Sequence, residues 1–317
     1  MKDYKVIAES IKASGDYTGS ILYDELMSKH TTFKIGGPVP VFFEPENIDS
    51  LLFLLLKFRE EKINYFVLGG GSNIVFCDSR FDGVVLSLLK INKISLLDSS
   101  ELKEDDVLVS VDSGVTMASF VNFCTNNGLT GAEPFAGLPG TVGGALFMNA
   151  RCFNLSVSDL FVEAYYIDLK SYKEEQQLFN ASDWDYKISP FQNKEKLILN
   201  ATFKLKKAKC TIEDLQAENK KYIAERKSKG HFEYPSAGSV FRNNRDFGAP
   251  SGKIIDQCGL RGKQIGKAQI APFHGNFIIN LGGALQKDVK ALVDFTVNEV
   301  KEKTGFSLQP EIIFVDK

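Results

Sequence analysis

The chain has 317 residues, 44% of them hydrophobic, which is enough apolar material for two or three subdomains with cores of their own. Its 38 lysines and arginines nearly cancel its 40 aspartates and glutamates, so no overall positive charge is present to hold a nucleic-acid backbone. The N-terminus has no apolar stretch of signal-peptide length, and the densest apolar run, residues 51–56, is too short to span a bilayer. We therefore expect a cytoplasmic protein without membrane insertion and without a nucleic-acid partner.

The residue types that bind metals are scattered along the chain. Its five cysteines are odd in number and form no C-x-x-C pair, and none of its three histidines stands at metal-ligand spacing from another. The sequence predicts no metal site and predicts free thiols that are mostly buried.

The N-terminal part predicts a helical arm followed by a strand, a helix and a strand. The arm takes the first twenty-odd residues, and runs of valine, phenylalanine and tyrosine at 39–45 and 64–71 predict the strands. The helix between them is expected at about residues 48–62. Its core-facing side is predicted to carry Leu52, Leu55, Leu56 and Lys62.

A second α/β unit follows the first. Valine-rich segments at 82–88 and 106–114 predict two more strands, and alternating residues at 161–169 and 196–207 predict a strand pair. One helix face is predicted from the spacing of Met117, Phe120, Val121 and Cys124. Gly128 stands where a left-handed residue would end that helix.

The C-terminal part begins with a capping pattern. Thr211-x-x-Asp214 predicts the start of a polar helix. The inner face of this helix is expected to consist of Ile212, Leu215 and Ile223. An apolar stripe over residues 289–300 predicts an amphipathic helix that ends at Gly305, and residues 311–315 predict the last strand.

Two glycine-rich segments stand beside predicted strands. The first contains Gly69, Gly70, Gly71, Ser72 and Asn73, and it lacks the spacing and the following helix of a Rossmann fingerprint. The second contains Gly137, Gly140, Thr141, Gly143 and Gly144, and residues 139–141 are placed to start a helix whose N–H groups face an anion. Because glycine lets backbone N–H groups converge on a pyrophosphate, the two segments together predict a dinucleotide cofactor. A tight turn for the first segment and packing glycines for the second are the alternatives.

A third motif surrounds Ser239 in the sequence EYPSAGSVFRNN, where small residues predict a turn. No histidine base completes a nucleophile elbow, so the motif does not favour a serine hydrolase. A serine held close to a substrate carbon is suited to donate a proton, and a hydroxyl that merely caps a turn is the alternative.

Seven motifs occur in the order typical of one enzyme family. They are TTFKIGG, LGGGSN, AGLPGTVGGALFMNA, YPSAGSVFRN, SGKIIDQCGLRGKQIGKAQI, HGNFIIN and LQPEI. In this order the chain resembles the UDP-N-acetylenolpyruvoylglucosamine reductase family from about His30 onward. Each motif is weakly specific alone, but a coincidence of seven in the same order is implausible.

The resemblance implies a fold and its domains. The fold is α+β, with a two-lobed FAD-binding domain of the vanillyl-alcohol-oxidase (PCMH) type and a C-terminal α/β substrate domain. The implied ranges are an N-terminal arm at 1–22, the FAD-binding domain at 23–206 with lobes at about 23–88 and 89–206, and the substrate domain at 207–317, whose last strand returns to the flavin site. The spacing between Lys206 and Ser239 resembles the shorter form of the family, which lacks an inserted tyrosine loop.

The resemblance also implies a reaction in peptidoglycan precursor synthesis. NADPH reduces bound FAD and leaves, a UDP-sugar enters the same cleft, and hydride then passes to the β-carbon of its enolpyruvyl group. By the match of motifs, Ser239 is the proton donor and Glu311 is the carboxyl group that assists at the substrate carboxylate. Asn243, Arg261 and His274 match substrate-side positions, and a packed core imidazole is the alternative for His274. We expect a monomer that binds this small-molecule substrate.

One motif departs from the family pattern. Where the family has Tyr-Arg-x-Ser-x-Phe, this chain has Tyr186 followed by Lys187. Lysine keeps the positive charge but lacks the planar fork that grips a carboxylate with two parallel bonds. We expect Lys187 to act as a catalytic point charge and Tyr186 to contact the substrate. Residues 151–153 also depart from the pattern.

Two other functions remain compatible with the residues. Another flavin oxidase or dehydrogenase acting on an alcohol or sugar would keep both glycine segments, but it would have no reason to combine Ser239 with Glu311. A nucleotide-sugar-binding protein without turnover has its only support in Lys187.

Overall fold

A computed structural model describes residues 2–98, 104–193 and 195–316. Its helices are α1 (Tyr4–Ser14), α2 (Ile48–Glu60), α3 (Met117–Asn126), α4 (Val142–Phe147), α5 (Ile212–Ser228), α6 (Ser251–Gln257) and α7 (Gln286–Thr304). Its strands are β1 (Gly19–Leu26), β2 (Pro38–Pro45), β3 (Tyr65–Leu68), β4 (Ile74–Phe76), β5 (Val84–Ser87), β6 (Ile94–Leu97), β7 (Asp106–Asp112), β8 (Leu129–Thr130), β9 (Arg151–Cys152), β10 (Leu155–Ser156), β11 (Phe161–Asp168), β12 (Glu174–Leu178), β13 (Lys196–Lys207), β14 (Ser236–Ser239), β15 (Gln264–Ile265), β16 (Ala268–Ile270), β17 (Phe277–Asn280) and β18 (Ile313–Val315).

The chain divides into two compact units. The first consists of Met1–Leu22, Phe42–Gly70 and Val84–Ala224, and the second of Tyr23–Val41, Gly71–Gly83 and Glu225–Lys317. The division falls inside β1, β2 and α5. These units are not the predicted domains, whose boundaries stay a prediction.

Two sheets account for most of the strands up to β13. One has the order β1-β2-β5-β3, in which β3 and β5 are parallel. The other has the order β12-β11-β13-β7-β6, with β8 paired to β13. The predicted pairing of 161–169 with 196–207 is confirmed, because β11 and β13 are antiparallel and Ala164 lies opposite Ala201.

Helix α3 packs its predicted face into the core of the first unit. The buried positions on this face include all four predicted residues, Met117, Phe120, Val121 and Cys124. The ring of Phe120 lies 5.1 Å from that of Phe203 on β13. Gly128 has φ +64°, so the left-handed residue expected after the helix is confirmed. Burial raises the pKa of the Cys124 thiol, and Cys77 and Cys152 are also buried, as predicted for most of the thiols.

Helix α2 forms where it was expected, but of its predicted face only Leu55 is buried. Asn47 caps it by accepting a hydrogen bond from the Ser50 N–H at 2.8 Å. The buried apolar residues are Leu51, Leu54, Leu55 and Phe58, whereas Leu56 is 45% exposed and Lys62 lies beyond the end of the helix. A run of leucines is compatible with two adjacent stripes of a helix, so the choice between them depends on the neighbouring strands rather than on the run itself.

Helix α5 has its predicted cap, but of its predicted inner face only Leu215 is buried. The Thr211 N–H donates to the Asp214 carboxylate at 3.1 Å, and the Asp214 N–H donates to the Thr211 hydroxyl at 3.2 Å. Ile212 and Ile223 are exposed, whereas Leu215, Asn219 and Arg226 are buried. The Asn219 amide donates to the Thr125 hydroxyl at 2.8 Å, so a polar contact replaces the apolar one that was expected.

The predicted helical arm is only half correct. Helix α1 ends at Ser14, and Gly15 has the left-handed φ of +80° that terminates it. Strand β1 already begins at Gly19, so the predicted arm contains the start of a sheet strand.

The second unit contains the sheet β14-β17-β16-β15 and the parallel pair β18 and β4. Helix α7 buries Val289, Leu292, Val293, Thr296 and Val300, as predicted, and ends at Gly305 with φ +78°. The Asp78 carboxylate caps this helix, because it accepts from the Gln286 N–H at 2.6 Å. The Gln286 side-chain amide donates to the carbonyls of Val75 and Val315 at 2.9 and 3.0 Å, which fastens β4 to β18. Among the described residues, none of the helices combines the length and the apolar character needed to cross a bilayer.

Candidate active site

The two predicted glycine segments meet in the first unit. A Cβ added at Gly70 would lie 2.5 Å from the Cα of Gly140, and one added at Gly69 would lie 2.7 Å from the hydroxyl oxygen of Thr141. Gly137 and Gly140 have φ +74° and +105°, which glycine adopts without strain. The two segments therefore pack backbone against backbone, and N–H groups of such glycine-rich backbone can donate to a pyrophosphate.

The predicted anion site at the start of α4 is wrong in one respect. Thr141 does begin the helix, and its hydroxyl accepts from the Gly144 N–H at 3.3 Å. However, the N–H groups of Val142 and Gly143 donate to the carbonyls of Val115 and Ser113 at 2.8 and 2.9 Å. Gly143 allows this approach, because a Cβ there would lie 2.7 Å from the Cβ of Ser113. These donors hold the fold together and do not face a ligand.

The rest of the first glycine segment belongs to the second unit, where it joins two other motifs. Gly71 has φ +62°, and its carbonyl accepts from the Thr32 N–H at 3.1 Å. The Thr32 hydroxyl in turn donates to the carbonyl of Ser236 at 2.7 Å. The loop of Gly71, Ser72 and Asn73 is therefore anchored to TTFKIGG and, through it, to the strand that carries Ser239.

Ser239 and Glu311 lie on adjacent stretches of backbone in the second unit. Ser239 is the last residue of β14 and pairs with Phe277. Gly238 has φ +74°, and the pairing is irregular between Ser236 and Ser239, so the residue sits at a bulge of a strand rather than in the predicted turn. The Glu311 N–H donates to the carbonyl of Val240 at 2.7 Å.

The side chain of Glu311 is largely shielded from solvent. Only 8% of the residue is exposed, although it stands just before β18. Glu311 is therefore not an exposed acid at a strand end, and its role toward a substrate stays a prediction.

Asn243 and Arg261, predicted to contact the substrate, are exposed and engaged with their own neighbours. The Asn243 side-chain oxygen accepts from the Ser251 N–H at 2.9 Å and so caps α6. Arg261 forms an ion pair of 2.8 Å with Asp256. The role of each toward a substrate stays a prediction.

His274 is a half-buried imidazole beside the Ser239 strand. Its Nδ1 accepts from the Asn276 N–H at 3.2 Å, which assigns the proton of the neutral ring to Nε2. Burial lowers the pKa of His274, and its ring centroid lies 4.5 Å from that of Phe277, the residue paired with Ser239. The geometry is compatible both with the packed imidazole and with a hydrogen-bond donor at Nε2.

The sequence argument missed His231 and Asn276. The ring centroid of His231 lies 4.8 Å from that of Phe277 in a tilted arrangement, and burial lowers the pKa of His231 to about 4. The Asn276 side chain accepts from the Phe241 N–H and donates to the Phe241 carbonyl, both at 2.8 Å. Asn276 could have been singled out because it lies within the family motif HGNFIIN. No sequence pattern around His231 pointed to that residue.

Tyr186 and Lys187 lie in a tight turn of the first unit. Asp185 and Ile188 form a bridge around them, and Lys187 has φ +61°, a conformation that is uncommon outside glycine and found at functional sites. Tyr186 is 37% exposed. The hydroxyl of Ser189 donates to the carbonyl of Phe147 at 2.8 Å, which anchors the turn to the end of α4.

Part of the departure at residues 151–153 has a packing reason. The ring of Phe153 lies 4.7 Å from that of Tyr222 on α5, within the first unit. Nothing in the structure explains why the two preceding residues depart from the pattern.

Comparisons with known proteins agree with this geometry. Residues 39–168 match the family model described as FAD binding domain, and residues 230–315 match that of the UDP-N-acetylenolpyruvoylglucosamine reductase C-terminal domain. The chain is 43% identical over 307 residues to the UDP-N-acetylenolpyruvoylglucosamine reductase of Treponema denticola, covering 93% of this chain and 94% of that one. It is 40% identical to the protein of that name from Borreliella burgdorferi, with coverage of 91% and 92%. A crystal structure of the Thermus caldophilus reductase is similar with a TM-score of 0.73 and 26% identity, over 95% of this chain and 100% of that one.

Proposed function

Because the chain belongs to the UDP-N-acetylenolpyruvoylglucosamine reductase family, we propose that Ser239 and Glu311 act in reducing UDP-N-acetylglucosamine enolpyruvate to UDP-N-acetylmuramate with NADPH. The family match makes the chain an FAD-dependent oxidoreductase of peptidoglycan precursor synthesis. The observation that carries the assignment of residues is the hydrogen bond of 2.7 Å from the Glu311 N–H to the carbonyl of Val240, directly after Ser239.

The close packing of Gly70 against Gly140 and Thr141 is compatible with a flavin dinucleotide, since the N–H groups of glycine-rich backbone can donate to its pyrophosphate. When bound, FAD supplies hydride chemistry, taking a hydride from NADPH and giving it to the β-carbon of the enolpyruvyl group. The protein's task is then to hold the cofactor and to manage the charge and the proton at the substrate.

Ser239 completes the reduction by giving its hydroxyl proton to the α-carbon. Hydride arrival at the β-carbon leaves an enolate, whose α-carbon is strongly basic, so even a weak acid such as a serine hydroxyl can protonate it. The bulge at Gly238 and Ser239 directs this residue differently from a regular strand residue. Water must resupply the proton after each turnover.

Glu311 and Lys187 are assigned to the substrate carboxylate, next to which the negative charge of the enolate develops. Glu311 is buried, where a hydrogen bond to a bound molecule is stronger than at an exposed position. Such a bond stabilises the substrate anion only if the carboxyl group donates it through an O–H, because two carboxylates repel each other. Lys187 contributes a positive charge, and as a single point charge it grips a carboxylate less rigidly than arginine does.

The two half-reactions test this assignment. Ser239→Ala should leave reduction of the bound flavin by NADPH unchanged, and it should slow reoxidation by the enolpyruvyl UDP-sugar by about a hundred- to ten-thousand-fold. Ser239→Cys should recover part of the rate, because a thiol can also donate a proton. Stopped-flow absorbance of the flavin measures both steps.

Ser228→Ala provides the control, since Ser228 lies at an exposed position of α5, where its hydroxyl donates to the Glu225 carbonyl at 2.8 Å. It should be indistinguishable from wild type. Reoxidation of the Ser239→Ala enzyme at more than a tenth of the wild-type rate would exclude Ser239 as the proton donor.

The proposal extends to location and assembly. A cytoplasmic monomer suits an enzyme whose substrates, NADPH and a UDP-sugar, are both cytoplasmic metabolites. Sedimentation of the purified protein with the mass of two chains would contradict the monomer.

A further inference from the structure

We propose that the side chain of Asn73, in the glycine-rich cofactor loop, is a positioning residue that sets the place of Glu311 relative to Ser239. The inference rests on the proposed function, since it concerns the substrate half-reaction. It gives Asn73 a second role beside the predicted contact of its backbone N–H with the cofactor.

Asn73 holds the chain on both sides of Ile312. Its side-chain amide donates to the carbonyl of Glu311 at 3.1 Å, and its own carbonyl accepts from the Ile313 N–H at 2.9 Å. The parallel ladder of β4 and β18 starts only with the pair Ile74 and Ile313. Glu311 therefore lies outside this ladder, and the Asn73 amide extends the attachment to it.

The opposite edge of the same segment is attached to the strand of the proton donor. The Glu311 N–H donates to the Val240 carbonyl at 2.7 Å, and the Arg242 N–H donates to the Gln309 carbonyl at 2.9 Å. The peptide groups of Glu311 are thus bonded to the Asn73 side chain on one side and to the residue after Ser239 on the other. Loss of the Asn73 amide releases one of these two attachments and lets Glu311 shift with respect to Ser239.

The size of the effect follows from the sensitivity of catalysis to geometry. A displacement of reacting groups by about 1 Å can slow a reaction about a hundredfold. The backbone hydrogen bonds of Glu311 with Val240, of Ile313 with Asn73 and of Gln309 with Arg242 remain and limit the shift. We therefore expect reoxidation of the flavin by the substrate to fall roughly ten- to a hundred-fold when the Asn73 amide is removed. Because the effect acts through Glu311, it should lower the maximal rate with little change in KM.

Two substitutions separate this role from cofactor binding. Asn73→Ala removes the side-chain donor, and Asn73→Asp keeps the size but turns a carboxylate oxygen toward the Glu311 carbonyl. Both variants should retain bound FAD and should be reduced by NADPH within about twofold of wild type, while reoxidation by the UDP-sugar slows as stated. Asn280→Asp is the matched control, since the Asn280 amide donates to the Phe33 carbonyl at 3.0 Å in the same unit; it should lose stability without this selective effect.

A double-mutant cycle with Glu311→Gln gives the decisive readout. If Asn73 acts by placing Glu311, adding Asn73→Ala to the Glu311→Gln enzyme should cause no further loss beyond about twofold. The inference would be overturned if the rate losses of the Asn73→Ala and Glu311→Gln enzymes multiplied in the double variant. Release of FAD from the Asn73→Asp enzyme would overturn it as well. Should the alanine variant fail to fold, the cycle is run with Asn73→Ser. A wild-type enzyme that is not reoxidised by the substrate would instead refute the proposed function.

Discussion

Substitution of Gly70 by alanine should weaken the binding of FAD, and the structure sets the size of the perturbation. The added Cβ would lie 2.5 Å from the Cα of Gly140 and 2.9 Å from its carbonyl carbon, both in backbone that cannot rotate away. Ordinary contacts of a Cβ begin at 3.4 Å. The two glycine segments must therefore separate by about 0.9 Å at this point, the difference between 2.5 and 3.4 Å.

This separation should cost both stability and affinity. Overpacking of this kind typically destabilises a fold by about 1–3 kcal/mol. If a backbone N–H of these segments donates to a phosphate oxygen as proposed, a shift of nearly 1 Å would also break that hydrogen bond. Such a charged bond contributes about 1.5–3 kcal/mol. We expect FAD affinity to fall roughly ten- to a hundred-fold, and further for Gly70→Val.

The assay is the ratio of flavin to protein after gel filtration, followed by titration of the stripped protein with FAD. Gly128→Ala is the control, because Gly128 has φ +64° and open space around it, so alanine there costs backbone strain without a clash. The control should lose stability and keep its flavin. A Gly70→Ala enzyme that binds FAD as tightly as the Gly128→Ala enzyme would refute the assignment of this contact to the cofactor.

Two further predictions concern charge and pH. Lys187→Ala should slow flavin reoxidation by the UDP-sugar far more than flavin reduction by NADPH, and Lys187→Arg should retain most activity; equal slowing of both half-reactions in stopped flow would point to a folding role instead. Burial lowers the pKa of His231 from 6.5 to about 4. Between pH 6.5 and about pH 4 the unfolded chain therefore binds more protons than the folded chain, and the free energy of unfolding falls as the pH drops through this range. His231→Gln should reduce the loss of melting temperature between pH 7.5 and about pH 5, and an unchanged loss would contradict the burial of a neutral imidazole.

The local features of this protein were determined by the sequence alone. The capping pair of Thr211 and Asp214 and the apolar stripe of α7 depend on residues three or four positions apart, so short-range chemistry is sufficient to predict them. The glycine segments were recognised for the same reason, since a left-handed residue such as Gly140 is a local requirement. The order of the motifs then identified the family and with it the cofactor and the substrate.

The tertiary structure decided what each local feature contacts. Either of two leucine stripes of α2 could have faced the core, and the N–H groups at the start of α4 were free to face a ligand until Val115 and Ser113 were brought beside them. Asn73 and Glu311 are 238 positions apart, and no local pattern relates an amide in a glycine loop to a carboxyl group near the C-terminus. Contacts between residues so far apart in sequence form only when the intervening strands have packed. The free energy that favours them comes from burial of apolar surface across the whole unit rather than from neighbouring residues.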